Sequence, residues 1–175
     1  IIAIGSTGHD SYKGCVRVYQ RDTNESIGWK QLGSDINGKN AGEEFGWSLA
    51  LSNNGKILVV SATNYDDETD PEDPKYDIGV VRVYQYSDNS WTQLGTDIDG
   101  EAENDFSGES VSLSADGTIV AIGAQYNDGN RSNSGHVRVY QINPITDVDN
   151  DGTINANDRF PYDPNLINPE PEPEP

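Results

Sequence analysis

Trp29-Lys-Gln-Leu-Gly-Ser-Asp-Ile-Asn-Gly38 returns as Trp91-Thr-Gln-Leu-Gly-Thr-Asp-Ile-Asp-Gly100, an offset of 62 residues. Other blocks repeat around this pair in the same order. Phe45-Gly-Trp-Ser-Leu-Ala-Leu-Ser-Asn-Asn-Gly55 reads as recurring in Phe106 to Gly117, with one residue inserted. Val-Arg-Val-Tyr-Gln occurs at Val16, Val81 and Val137. Ile1-Ile-Ala-Ile-Gly5 returns as Ile119-Val-Ala-Ile-Gly123, with Ile57-Leu-Val-Val-Ser61 between them. An ordered repeat of this length means a fold assembled from one supersecondary unit.

Each unit reads as four short strands. They are Ser48–Ser52 (Ser110–Ser114 in the next copy), Ile57–Ala62 (Ile119–Ala124), Val81–Gln85 and Trp91–Ile98. These runs are rich in Val, Ile, Tyr and Trp and are bounded by Gly, Asn and Asp. Asn54-Gly55 and Asp116-Gly117 are expected to close two-residue hairpins between the first and second strands. No stretch sustains a helical period. In Val-Arg-Val-Tyr the valines would face one side of the sheet and Arg and Tyr the other. The expected fold is all-β: four-stranded antiparallel blades of a β-propeller, incomplete at about two and a half blades, with an irregular calcium-binding loop at the C-terminus. A β-sandwich and a β-solenoid are the competing architectures. The expected organisation is a partial propeller over 1–143, a calcium loop over 144–165 and a Pro/Glu linker over 166–175. A closed propeller takes about four to eight blades, so the remaining blades are expected upstream.

Composition narrows the partners. The chain has 30 acids against 11 bases, a net charge of −19. That field repels nucleic acid and anionic lipid. Cys15 is the sole cysteine, so no intramolecular disulfide forms and divalent cations are the expected staples. No apolar run is long enough to span a bilayer, so direct membrane insertion is not expected. The opening Ile-Ile-Ala-Ile-Gly reads as the middle of a strand, so any export signal is expected upstream.

The segment Phe106-Ser-Gly-Glu-Ser-Val-Ser-Leu-Ser-Ala-Asp-Gly-Thr-Ile-Val-Ala-Ile-Gly-Ala124, followed by Gly135-His-Val-Arg-Val-Tyr-Gln141, resembles the FG-GAP repeat. That family builds the integrin α-subunit head propeller and many bacterial surface proteins. The Trp-x-Gln-Leu-Gly-x-Asp-Ile-x-Gly element looks like its bacterial branch. The resemblance covers about residues 1–141 and implies a secreted or cell-surface propeller used for adhesion or ligand binding. Integrin-type blades often carry a calcium cage between the first two strands. Here that place holds only Ser52-Asn-Asn-Gly55 and Ser114-Ala-Asp-Gly117. So short a turn cannot supply six or more oxygens, and Asn54 and Asp116 are read as turn residues.

Asp147-Val-Asp149-Asn-Asp151-Gly152-Thr153-Ile154-Asn155-Ala-Asn-Asp158 has the register of a calcium loop. Hard calcium takes a shell of oxygens. Asp147, Asp149 and Asp151 would supply side-chain carboxylates, Thr153 its backbone carbonyl, Asn155 a direct or water-mediated contact, and Asp158 the closing carboxylate. Gly152 permits the sharp turn. The competing reading is an acidic linker, because Pro-Glu alternation follows and favours a stiff, extended spacer. Pro161 and Pro164 forbid the exit helix of an EF-hand. The stretch from Asp147 to Pro164 resembles a bacterial thrombospondin type 3 repeat. That resemblance makes Asp163 a further candidate ligand.

The loop between the second and third strands varies most: Ser6–Lys13, Thr63–Ile78 and Gln125–Ser134. Such loops emerge on one propeller face and often bind ligands. In the middle copy Asp66, Asp67, Asp70, Asp73 and Asp77 are the candidate ligand-binding residues. A solvated loop and a weak second calcium site are the alternatives. The acids between blades, Asp97, Asp99, Glu101 and Asp105 with Asp35, Glu43 and Glu44, read as turn and solubility residues. Cys15 aligns with Val80 and His136 and reads as a small strand residue. No nucleophile elbow, phosphate loop or metal-hydrolase motif occurs. The expected function is a calcium-binding adhesion or ligand-binding module that takes a protein or glycan on a propeller face. It is not expected to be an enzyme. The alternatives are part of a secreted propeller hydrolase or lyase with its catalytic residues elsewhere, and a structural spacer.

Overall fold

A computed structural model describes residues 1–22, 28–68, 70–72, 74–129 and 131–142. Its strands are β1 (Ile2–Ser6), β2 (Cys15–Arg21), β3 (Trp29–Gln31), β4 (Ile36–Asn37), β5 (Leu49–Leu51), β6 (Ile57–Ala62), β7 (Val80–Ser87), β8 (Ser90–Asp99), β9 (Ser110–Leu113), β10 (Ile119–Ala124) and β11 (His136–Gln141). They form three antiparallel sheets in meander order: β1-β2-β3 with β4 also on β2, then β5-β6-β7-β8, then β9-β10-β11. The middle sheet is a full blade. The first contains the second, third and fourth strands of the unit, its fourth broken into β3 and β4. The last contains the first three. Strand β5 lies against both β1 and β9, so the inner edges converge as blades do. The three blades do not close a ring among the described residues.

Strand β6 is buried at all six positions because a sheet covers each of its faces. Leu58, Val60 and Ala62 join Val80, Tyr84, Val16 and Val18 between the first and second blades. Ile57 and Val59 join Val81, Val83, Val120 and Ile122 between the second and third. The alternation expected of Val-Arg-Val-Tyr therefore holds. Burying each such aliphatic side chain contributes about 1.5–3 kcal/mol. At the outer edge Trp91 Nε1 donates to the Leu32 carbonyl at 2.9 Å, tying the first two blades together.

The turns differ from the sequence reading in length. Strands stop at Leu51 and resume at Ile57, so residues 52–56 make the turn. Gly55 N–H donates to Ser52 O at 2.8 Å with φ at +68°. The Asn54 side chain accepts from Lys56 N–H at 2.9 Å and from the Ser52 hydroxyl at 2.8 Å. Asp116 does the same for Thr118 and Ser114, so both residues act in the turn as expected.

The register around Phe45 also needs correcting. Phe45 N–H donates to Lys13 O, and Ser107 N–H donates to Ile78 O. Gly38 N–H donates to Gly14 O, and Gly100 N–H to Gly79 O. Glu44 and Phe106 both have positive φ, at +57° and +50°. The offset of 62 therefore runs through without an insertion. Ser107, not Phe106, is the counterpart of Phe45. Backbone hydrogen bonding sets this register, and matching the two phenylalanines by side chain misreads it.

Candidate functional site

The meander places the loops between second and third strands at one end of the stack, together with the connections from each blade to the next. Asn104 and Phe106 donate backbone hydrogen bonds to Tyr76 O and Asp77 O, both at 3.0 Å. This joins the middle loop to the following connection. The opposite end carries the hairpins and an open groove of about 790 Å³ lined by Gln20, Arg21, Lys30, Gln31, Tyr86 and Asn89, among others.

The middle loop stands on a buried ionic base. Arg82 is fully buried in β7 and Glu43 is 2% exposed. Nη1 and Nη2 of Arg82 donate to the two Glu43 carboxylate oxygens at 2.7 and 3.0 Å, and its Nε donates to Asp97 at 2.9 Å. Lys39 and Gln93 also donate to Asp97, at 2.7 and 2.8 Å. The guanidinium lies 5.6 Å from the ring centroids of both Phe45 and Tyr65. Burial works against the charges. At Arg82 the hydrogen bonds to Glu43 and Asp97 outweigh it, and the pKa stays above its ordinary value. At Asp97 the bonds from Lys39, Arg82 and Gln93 outweigh it, and the pKa is lowered. The expectation that Glu43 and Asp105 are solubility residues is therefore corrected. Both are buried, and Asp105 accepts from the buried Asn127 side chain at 2.7 Å. The sequence did contain a signal: an arginine in a strand covered on both faces needs a buried counter-charge.

Tyr65 and Asn127 share the offset of 62 and play one part. Each fixes the start of its loop to the acid at the preceding joint, Tyr65 through Arg82 and Asn127 directly to Asp105. Among the candidate loop residues, Asp77 N–H donates to the Asp66 carboxylate at 2.8 Å. Asp67 exchanges two backbone hydrogen bonds with Lys75. Asp70 accepts from Glu72 N–H at 2.9 Å. Asp73 lies outside the described residues. Asp66 and Asp77 are brought together, whereas Asp70 faces solvent. No group of three or more His, Cys, Asp or Glu side chains that could hold a metal occurs among the described residues. Asp147, Asp149, Asp151, Thr153, Asn155, Asp158 and Asp163 all lie outside the described residues.

Burial first, then Asp66 and Glu103, raise the pKa of the Asp77 carboxyl. A raised carboxyl pKa adds stability at low pH that is lost as pH rises through the folded-state value. The lowered Asp97 and Asp35 act oppositely. Their contribution is present above the ordinary carboxyl range and is lost as pH falls below it, toward about 2 for Asp35. Asp77→Asn is therefore expected to raise Tm at pH 7 by about 1–3 °C. Asp77 also has φ at +52°, which Asn tolerates well. Thermal melts at pH 7 and pH 3 separate the two causes. Charge relief vanishes at pH 3, and an equal gain at both values would leave only the backbone effect.

Cys15 begins β2 as a buried free thiol, at the position held by Val80 in β7 and His136 in β11. Burial first, then Asp35, push its pKa up. That is the wrong direction for an activated nucleophile.

Residues 96–140 match the FG-GAP repeat. The match runs from the end of β8, across the joint and through β9 and β10 into β11. It therefore takes in Asp99 at the end of β8, the connection containing Asp105 and Ser107, the third loop with Asn127, and Arg138. No curated protein matches the chain. No helix among the described residues is long and apolar enough to cross a membrane.

Proposed function

We propose that the chain is part of a secreted or cell-surface adhesion module that binds a protein or glycan at its acidic loop end, with calcium held by the loop from Asp147 to Asp158. The observation that carries this reading is the FG-GAP match combined with the loop anchoring. Variable loops, the middle one strongly acidic, rise from one end of rigid blades, and the middle and third are fixed at their bases by Tyr65 and Asn127. Function placed on loops over a rigid scaffold is the common arrangement of binding modules. On this reading calcium stiffens the junction between the blades and the Pro/Glu segment.

Calorimetric titration of the 175-residue chain with calcium is expected to show about one ion per chain, with Kd about 10⁻⁴–10⁻³ M as in extracellular modules. Asp149→Ala/Asp151→Ala should abolish the binding. Heat that is only weak and salt-screened removes calcium from the reading. The loop end is tested separately, by attaching beads coated with an Asp66→Asn/Asp67→Asn/Asp70→Asn chain to extracellular matrix glycoproteins. Attachment should fall while the far-ultraviolet circular dichroism stays unchanged. Undiminished attachment would favour a structural spacer.

A further inference from the structure

The large exposed apolar side chains sort by chemistry. Ile1, Ile2, Ile4, Ile119, Val137 and Val139 stand on or beside β1, β10 and β11, on faces that no described sheet covers. Tyr12, Trp47, Tyr76 and Tyr126 are 45–60% exposed, and all four stand at the loop end. The three tyrosines belong to the first, second and third variable loops, and Trp47 lies between the first joint and β5. Blade stacking accounts for the aliphatic set but not for the aromatic one.

At the second joint three segments each bring an aromatic residue to one place. Phe106 of the connection lies edge-on to Tyr126 of the third loop, with ring centroids 5.7 Å apart. Asn104 and Phe106 N–H donate to the carbonyls of Tyr76 and Asp77 in the middle loop. Phe106 has φ at +50°, an uncommon conformation for a bulky residue. Such strain persists where the surrounding structure enforces it, and it gathers at ligand sites. Carboxylates border the rings: Glu103 lies near enough to Asp77 to act on its charge.

We propose that Tyr76, Phe106 and Tyr126 form a shelf for a neutral saccharide, which lays its C–H face on the rings and donates hydroxyl hydrogen bonds to Asp77 and Glu103. The inference rests on the loop-end reading above and narrows its partner to the glycan. A sugar ring is an apolar C–H face rimmed with hydroxyls, and an exposed tyrosine matches it with an apolar body and a polar tip. Ionised carboxylates only accept, so they suit a rim of donors. The net charge of −19 disfavours uronic and sulfated glycans. Protein interfaces draw on Met as well as aromatic residues. This chain has no Met, and no large exposed aliphatic side chain stands at the loop end among the described residues.

The test is native electrophoresis of the 175-residue chain through gels that contain galactomannan, xyloglucan or glycogen, with heparin as the anionic control. Retardation is expected in at least one neutral gel and not with heparin. Tyr76→Ala/Tyr126→Ala should weaken it about 10-fold, the loss of two ring contacts. Val137→Thr, an exposed aliphatic away from the loops, should leave it unchanged. Tyr76→Ala alone, which keeps the Phe106–Tyr126 contact, should also weaken it and keeps the proposal falsifiable if the double variant does not fold. Retardation by none of the neutral polysaccharides overturns the proposal, and so does equal retardation of the parent and both tyrosine variants. Beads coated with the chain separate this failure from that of the loop-end reading. Attachment to matrix glycoproteins that survives their enzymatic deglycosylation overturns the saccharide and leaves a protein partner. Absence of attachment to either form overturns both.

Discussion

An Arg82→Met chain is expected to be about 3–5 kcal/mol less stable than the parent, because one half of a buried ion pair is left behind. For a chain of this size that corresponds to a Tm lower by roughly 6–20 °C. Glu43 would stay buried without its counter-charge. Its Oε1 keeps the Lys39 N–H, but Oε2 loses the Arg82 Nη2 donor. Asp97 suffers less, since Lys39 and Gln93 remain. Converting both partners, Arg82→Met/Glu43→Met, is expected to recover much of the loss, because an apolar pair needs no desolvated charge. Arg17→Met is the internal control. That arginine and Asp35 are a third or more exposed, so solvent screens the pair and its loss should cost far less than that of Arg82. Denaturant unfolding of the four proteins checks the ranking. A loss below about 1 kcal/mol for Arg82→Met would mean that water reaches the pair.

Gly79→Ala is expected to cost about 3–4 kcal/mol, combining left-handed strain with a backbone collision. Gly79 has φ at +73°, and a Cβ there would overlap the carbonyl oxygen and amide nitrogen of Ser107. The position is a crossing point. Gly79 N–H donates to Tyr65 O at 3.2 Å, and Gly100 N–H donates to Gly79 O at 2.8 Å. The base of the loop, the end of β8 and the start of the third blade therefore meet at one residue. Gly95→Ala separates strain from collision. Gly95 has φ at +66° but nothing within 4 Å of its Cβ position, so only about 1–2 kcal/mol is expected. Urea unfolding of the two variants decides. Equal costs would mean that the blades slide apart to admit the methyl group and that the joint is not close-packed.

Several elements were legible from local pattern. The expected bounds Ile57–Ala62 and Ile119–Ala124 coincide with β6 and β10. Their alternation and the glycine turns at Gly55 and Gly117 are short-range properties, and the blade order follows from the repeat. The acids at the joint were not legible. Glu43 and Glu44 are adjacent, yet Glu43 is buried against Arg82 while Glu44 has positive φ and is half-buried. Phe45 and Phe106 look alike, yet Phe45 closes over Arg82 and Phe106 packs edge-on against Tyr126.

The sequence by itself determined the strands, their pairing order, the turn residues and the stacking of like units. The first three are set by neighbours within one blade, and the last follows from the repeat. Only the tertiary structure decided which of three equivalent arginines is fully desolvated, which acids are counter-ions and which face of β11 stays open. Those properties depend on sheets covering one another across joints some 60 residues apart. Coverage by a second sheet changes the dielectric around a side chain without leaving any mark on the residues beside it in sequence.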